Sequence, residues 1–312
     1  MQVYHRLDEL NLAQEGRHTA VAFGSFDGLH VGHRLLLERV RHVAAEQNLH
    51  SLVLTFSNHP LSVLAPPYAP QLLLTPERKI QILEQLGIDI VVMPPFTMEV
   101  AHISARHFIR EILLERLGMR HIVAGYDCRF GHKGTGDGEM LRIEGERLGF
   151  GMEEFQAQMD DGITVGSRVI RELLLMGNVE KAMELLERPH ELRGTVIHGE
   201  ERGRQLGFPT ANLQFPEPYL IPANGVYAIW ADVGNRRYGG MINLGRRPTF
   251  GTLAFLPEAH LFNFKGEIYG EEMTVYFLRR LRDEKRFESA EALKQQLIID
   301  QQTAREALLS LR

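Results

Sequence analysis

Two stretches of the chain set phosphate-handling groups where the backbone can assist them. The first reads Phe23-Gly24-Ser25-Phe26-Asp27-Gly28-Leu29-His30-Val31-Gly32-His33. It leaves an apolar run that begins at Thr19, turns through Gly24 and Gly28, and enters a helix, so that backbone amides and a helix N-terminus face one anion. His30 and His33 put two imidazoles at the helix mouth. The glycine spacing matches neither a P-loop, which needs Gly-Lys-Ser/Thr, nor a dinucleotide fingerprint. The groups suit transfer between phosphates, in which positioned donors stabilise charge in transit and no covalent nucleophile is required. Half of a zinc site is one alternative, against which Cys128 is the one cysteine and no second ligand pair stands at suitable spacing. A glycine-rich turn with surface histidines is the other.

The second stretch, Arg202-Gly203-Arg204-Gln205-Leu206-Gly207-Phe208-Pro209-Thr210-Ala211-Asn212, is a basic, glycine-rich loop followed by a hydroxyl and an amide. Glycines let such a loop approach phosphate closely, and Thr210 and Asn212 offer oxygen ligands acceptable to Mg²⁺; an ordinary turn is the alternative. Glu258 opens a β-rich run directly after Pro257, a place that suits a carboxylate at a barrel mouth. Its alternative is a charge that keeps an edge strand from pairing with other chains.

Elements must hold these groups in place. After the first stretch Leu36, Val40 and Val43 recur at helical spacing, and residues 51–56 form a continuous apolar strand of the kind buried on both faces. A helix over 75–86 with Pro76 in its first turn and Gly87 as its stop, a strand over 88–93, a helix over 105–117 stopped by Gly118, and a strand over 120–124 continue the alternation. This predicts a doubly wound α/β domain with a parallel sheet, whose ligand sites lie beyond the C-terminal strand ends. Two polar loops fall there, 55–60 with Asn58 and 125–131 with Asp127.

From residue 191 the texture changes to short β-rich runs over 192–198, 225–233, 238–244, 258–264 and 273–281, with Gly234-Asn235 as a two-residue hairpin turn. Runs at this spacing predict a small antiparallel β-barrel. An amphipathic helix over 289–311 presents Leu293, Leu297 and Ala304 to it. Pro189 disfavours continuation of a helix over 179–187. The expected domains are therefore 1–187 and 188–312.

The 312 residues, 44% of them apolar, suffice for a core in each domain. A net charge of -5 without any basic block argues against a nucleic-acid-binding surface. No apolar run approaches the ~20 residues that span a bilayer, the polar start is no secretory segment, and one cysteine makes no internal disulfide. The expectation is a cytoplasmic protein with small-molecule partners, without nucleic acid or membrane.

His30-Val31-Gly32-His33 resembles the His-x-Gly-His signature of the nucleotidylyltransferase superfamily. Residues 26–33, Thr55-Phe56 with His59-Pro60, and Gly125 to Gly131, in this order, resemble the FMN adenylyltransferase module of prokaryotic bifunctional riboflavin kinase/FAD synthetase. Residues 203–213, 225–228, 243–250, 258–261 and Tyr269-Gly270 resemble its riboflavin kinase module. The resemblance spans roughly residues 18–305. It implies two reactions: riboflavin and ATP give FMN and ADP in the C-terminal barrel, and FMN and ATP give FAD and pyrophosphate in the N-terminal domain. His30 and His33 would be catalytic beside an ATP site formed by Gly24, Phe26, Asp27, Gly28 and Gly32, with Asn58 and Asp127 positioning flavin and substrate. Ser167, Arg168 and Arg171 would open a second phosphate-binding helix. In the barrel, Gly203, Arg204, Gly207 and Pro209 would line the nucleotide, Thr210 and Asn212 would hold the Mg²⁺ of MgATP, and Glu258 would be the general base for the ribityl 5′-hydroxyl.

The chain departs from the family pattern at Val165-Gly166-Ser167-Arg168-Val169-Ile170-Arg171, where Ile-Ser-Ser-Thr-x-Ile-Arg is usual. Hydroxyls are replaced there and a guanidinium, which binds phosphate bidentately, is gained. Cys128 stands where an aromatic is usual and Asn263 where Asp is frequent. Two other functions remain open at this level: a riboflavin kinase whose N-terminal domain binds nucleotide with weak or no activity, and a non-catalytic flavin-binding regulator. Thr210, Asn212 and Glu258 count against the regulator, which would need no base.

Overall fold

Alternating side chains along parallel strands build two cores at once in the N-terminal part of the chain. The structure, a computed structural model, describes all residues but 161, 200–202, 204–205, 217, 250–251 and 311–312, with backbone alone at 246–249 and 252–254. Strands β1 (Gln2–Tyr4), β2 (Thr19–Phe23), β3 (His50–Leu54), β4 (Ile90–Val92), β5 (Met119–Gly125) and β6 (Gly151–Phe155) form one sheet in the order β1-β4-β3-β2-β5-β6. Every pairing is parallel. Between them run α1 (Val31–Glu46), α2 (Leu61–Leu64), α3 (Pro76–Gln85), α4 (Met98–Ala101), α5 (Ala105–His107) and α6 (Gly138–Leu148).

Ala20, Ala22, Val53, Val91 and Val123 pack with Leu37 and Val40 of α1 and Ile82 and Leu83 of α3. Their sequence neighbours Val21, Leu52, Ile90 and Ile122 point the other way, onto Phe108, Ile109, Leu113 and Leu141. This is the expected doubly wound α/β arrangement. Each fully buried aliphatic side chain contributes about 1.5–3 kcal/mol to it. The strand order reverses at β2, which creates a switch point between β2 and β5.

Two details differ from expectation. The edge strands β1 and β6 were not predicted: β1 has three residues and β6 carries two glutamates, so neither shows an apolar run. The helix expected over 105–117 is α-helical only to His107 and continues in wider π turns over Phe108–Arg116. It does stop at Gly118, whose φ of +63° and whose nearest neighbour, 2.2 Å from an added Cβ, admit only glycine.

The chain forms two compact units, Met1–Gly166 and Ser167–Arg312. A small hairpin, β7 (Met159–Asp160) and β8 (Ile163–Thr164), belongs to the first. The second opens with α7 (Ser167–Leu175) and α8 (Val179–Leu186), so packing divides earlier in the chain than the expected boundary at 187/188. The reason is what α8 buries. Val179, Ala182, Leu185 and Leu186 are covered, α8 lies against strands of the barrel, and Glu180 accepts from the Arg280 amide at 3.4 Å. Pro189 ends the helix without ending the unit.

Strands β9 (His190–Ile197), β10 (Ala211–Gln214), β11 (Gly225–Val233), β12 (Arg236–Leu244), β15 (Glu258–Leu261) and β16 (Glu272–Arg282) close a barrel in the order β10-β15-β12-β11-β16-β9, with β13 (Arg246–Thr249) and β14 (Thr252–Phe255) paired outside it. The barrel and the Gly234-Asn235 hairpin agree with the sequence reading. Helix α9 (Ala290–Ser310) buries Ala304, Ala307 and Leu308 against Ala228, Met241 and Phe262. Its Asp300 is buried and takes a bidentate bond from Arg282 of β16 at 2.7–3.0 Å.

Candidate active sites

In the first unit the β2–α1 turn gathers the two histidines. The chain passes Phe26 and Leu29 with φ of +44° and +42° and Gly28 with +86°, three left-handed steps that bend it sharply into α1. His30 caps the helix, its Nδ1 accepting from the His33 amide at 3.4 Å. The rings of His30 and His33 stack with centroids 3.7 Å apart, and Phe26 meets His33 edge-on at 5.2 Å. A side chain at Gly32 would press on the His30 ring at 3.4 Å. Burial, reinforced by His30 and the Lys79 ammonium, holds the His33 imidazole well below the ordinary histidine value. His33 is thus neutral, and among the described residues its buried Nδ1 has no hydrogen-bond partner. The first amides of α1 have no intrahelical acceptor either. The corner gathers imidazoles and a helix N-terminus where an anion can be met.

The other expected residues of this unit divide. Asp127 stands exposed just past β5, across the switch point from the histidines. Asp27 is buried, and both its carboxylate oxygens accept from the Leu73 amide, at 3.1 and 3.3 Å. Asn58 accepts from the Phe96 amide at 2.7 Å and donates to its carbonyl at 3.1 Å. Both side chains therefore shape loops as well as bordering the site. Gly24 donates to Leu54 at 3.1 Å, which ties the turn to β3. Burial pushes the Cys128 thiol up to about 12, which keeps it protonated and unreactive. Ser167, Arg168 and Arg171 open α7 in the second unit; Arg168 is exposed and pairs with Glu172 at 2.9 Å.

In the barrel, a cavity of about 760 Å³ is lined by Gly203, Thr210, Asn243, Glu258 and His260, with apolar walls such as Met241 and Leu293. A second cavity of about 280 Å³ is lined by Pro209, Thr210, Ala259 and Tyr269. Thr210 belongs to both. On β15 Glu258 has Asn212 of β10 as its cross-strand partner on one side and Asn243 of β12 on the other. Asn212 is buried, and among the described residues its Oδ1 has no hydrogen-bond partner. Gly199 and Gly203 leave room for these groups: a Cβ on Gly199 would fall 1.9 Å from the Asn212 amide nitrogen, and one on Gly203 3.2 Å from the Thr210 hydroxyl. Gly207 is exposed, with φ of +83°. Arg204 lies outside the described residues.

Two residues were given no role from the sequence, although His260 lies within the matched stretch 258–261. His260 faces Nδ1 to the Pro209 carbonyl at 2.8 Å and packs edge-on with Phe208 at 5.3 Å, so it anchors the loop that carries Thr210. Its position two residues beyond Glu258, on the same face of the strand, was the available signal. Lys79 is buried and donates to Ser25, Thr55 and Phe56 beside a small cavity bordered by Asn58 and His59. Its signal was a cation on the apolar stripe Lys79, Ile82, Leu83 of α3, continued by Leu86 at its end.

A buried unpartnered oxygen beside a carboxylate at a large apolar-walled cavity is the chemistry of a metal-assisted transfer to a hydroxyl. Paired imidazoles at a helix start are that of an exchange between phosphates. A family model for FAD synthetase matches residues 12–169 and one for riboflavin kinase matches residues 186–308. The chain is 35% identical to the bifunctional riboflavin kinase/FMN adenylyltransferase of Bacillus subtilis, with 96% of each chain covered, and 35% identical to that of Haemophilus influenzae, with 98% of each covered. A crystal structure from Streptococcus pneumoniae described as a macrolide-efflux protein superposes with a TM-score of 0.86 at 30% identity, covering 97% of this chain and 98% of that one. Among the described residues no helix is long and apolar enough to cross a membrane.

Proposed function

The chain belongs to the bifunctional riboflavin kinase/FMN adenylyltransferase family and makes FMN from riboflavin and FAD from FMN, and on that premise we propose which of its residues carry each reaction. In the barrel, flavin occupies the 760 Å³ cavity, whose size and apolar walls suit a ring system. The ATP polyphosphate approaches through the 280 Å³ cavity, so that the phosphoryl group passes at Thr210. Glu258 takes the proton from the ribityl hydroxyl, whose oxygen attacks the γ-phosphorus while the bond to the β-phosphate oxygen breaks and ADP leaves. Thr210 and Asn212 fit Mg²⁺: both offer hard oxygens, and the unpartnered Asn212 Oδ1 is what a ligand lacking its ion looks like. Bound there, the ion neutralises phosphate charge. The single observation that carries this reading is that buried oxygen, set beside Glu258 in the barrel register.

In the first unit, an FMN phosphate oxygen attacks the α-phosphorus of ATP and pyrophosphate leaves, with no proton to be removed. His30, His33 and the first amides of α1 stabilise the moving charge, and a polyphosphate beside His33 favours its protonated form. Gly24, Phe26, Gly28 and Gly32 shape the corner; Asp27 and Asn58 fix its loops; Asp127 positions flavin. Ser167, Arg168 and Arg171, at the start of α7, are proposed as phosphate-binding residues. On the nucleotide side of the kinase site, Gly203, Arg204, Gly207 and Pro209 form the loop over the phosphates. The two activities divide along the chain near 187/188, and the enzyme works in the cytoplasm on small molecules, without nucleic acid or membrane. Riboflavin, ATP and Mg²⁺ incubated with the protein, with flavins separated over time, should show FMN rising and then FAD. FMN without FAD at any ATP concentration would favour the kinase-only function.

A further inference from the structure

Lys79 is 6% exposed, and its Nζ donates to the carbonyls of Ser25 (2.8 Å) and Phe56 (3.1 Å) and to the Thr55 hydroxyl (3.4 Å). All three acceptors are uncharged. A buried ammonium held by neutral oxygens costs stability that an apolar side chain would not. The position is otherwise an apolar one, in line with Ile82 and Leu83 on the covered face of α3. Stability alone would have put leucine or methionine there.

The three acceptors come from two loops. Ser25 precedes Phe26 in the turn that leads to His30 and His33; Thr55 and Phe56 follow β3 and lead to Asn58 and His59. The ammonium thus ties the C-terminal ends of β2 and β3, and its charge is felt at His33, where it opposes protonation. The charged or titratable groups facing it are Asp27 from the first loop, His59 from the second, which borders the same small cavity, and His33 from α1. Asp27 partly offsets the charge, although its own oxygens bond the Leu73 amide.

Resting on the assignment of adenylyl transfer to His30 and His33, we propose that Lys79 is a positioning residue of that reaction, clamping the two loops and supplying fixed positive charge behind the imidazole pair. The site is then attractive to polyphosphate while the His33 imidazole is neutral, and protonation of His33 is left to the arriving anion. Burial lowers the Lys79 ammonium to about 8, so this charge is present at neutral pH and disappears in mild alkali. Its deprotonation relieves a burial penalty. Activity is therefore lost there without any loss of stability from this group.

The test is the initial rate of FAD formation from FMN and ATP by the full chain between pH 6.5 and 9.5, with melting temperature and FMN formation from riboflavin followed alongside. The unmodified protein should lose FAD formation above about pH 8 while remaining folded. Lys79→Met should lower kcat for FAD formation by roughly 10²-fold, flatten the alkaline limb, and leave FMN formation unchanged. His30→Ala with His33→Ala should abolish FAD formation. If that double variant still makes FAD, the site assignment itself falls. If it does not, while folded Lys79→Met keeps the normal rate and alkaline limb, the role of Lys79 falls alone. Should Lys79→Met fail to fold, a constant FAD rate from pH 7 to 9.5 in the unmodified protein overturns the proposal.

Discussion

Asn212 and Glu258 are cross-strand partners in the antiparallel pairing of β10 with β15, which sets an unpartnered amide oxygen beside a carboxylate. On the proposed reading the pairing separates two roles: Asn212 would hold the ion and Glu258, on the cavity wall, would move the proton. Glu258→Gln keeps the shape and the hydrogen-bonding reach while removing the base. FMN formation should slow by roughly 10²- to 10⁴-fold, with riboflavin affinity little changed in a direct binding titration. A near-normal rate would dismiss the assignment.

Gly199 is a sharper probe of the proposed ion site because it has no side chain of its own to contribute to the chemistry. An added Cβ would lie 1.9 Å from the Asn212 amide nitrogen, so Gly199→Ala must displace that side chain. FMN formation should fall by about 10²-fold and need more Mg²⁺ for half-maximal rate. An unchanged Mg²⁺ dependence would mean that Asn212 is not a ligand.

Gly166 has open space around its Cα, and the exposed Arg168 is held only at its own helix by Glu172. Gly166→Ser with Arg168→Thr should therefore fold normally. If Arg168 has taken over phosphate contact, as a forked charged donor can, FAD formation from FMN falls in this variant and FMN formation does not. A rise in FAD formation would show instead that the lost hydroxyls had impaired the site.

A fragment of residues 167–312 should fold and turn riboflavin into FMN, and never into FAD. One of residues 188–312 loses α8, with buried Val179, Ala182, Leu185 and Leu186, and exposes barrel strands that α8 covers. It should melt well below the longer fragment or aggregate. Equal melting temperatures would show that α7 and α8 are dispensable to the barrel.

His190 starts β9 fully buried, its Nε2 facing the Leu220 carbonyl at 2.9 Å, and burial lowers it to about 4. Because the unfolded chain binds this proton near 6.5, the folded state is fully favoured above that pH and loses the advantage as pH falls towards 4. The loss amounts to about 3 kcal/mol at most. His190→Gln, whose amide can still donate to Leu220, should make the acid limb of stability shallower in thermal unfolding between pH 7.5 and 4.5. Identical limbs would clear His190 of this role.

The local signals in this chain were readable because their causes are local. Glycines at left-handed turns, the apolar strands of the sheet, Pro76 in the first turn of α3 and the Gly234-Asn235 hairpin each depend on a few adjacent residues. What escaped depends on distant ones. That Glu258 faces Asn212 is a matter of strand register, which nothing near either residue encodes. Lys79 sits on an apolar stripe where helical spacing alone places a mismatch and says nothing of the Ser25 and Phe56 carbonyls that satisfy it. The α7–α8 pair reads as the end of one domain because Pro189 breaks the chain's periodicity, yet α8 packs on β16, a hundred residues on.

Thr210 borders both barrel cavities, and with flavin and nucleotide placed there as proposed, that shared wall makes the two ligands thermodynamically interdependent. Whatever displacement one ligand imposes on the threonine, the other meets on arrival. Linkage is reciprocal: if nucleotide tightens the hold on flavin by some factor, flavin tightens the hold on nucleotide by the same factor. The ternary complex is then equally stable whichever molecule enters first, and a preferred order of addition reflects the two binary affinities and the rates of entry, not the coupling.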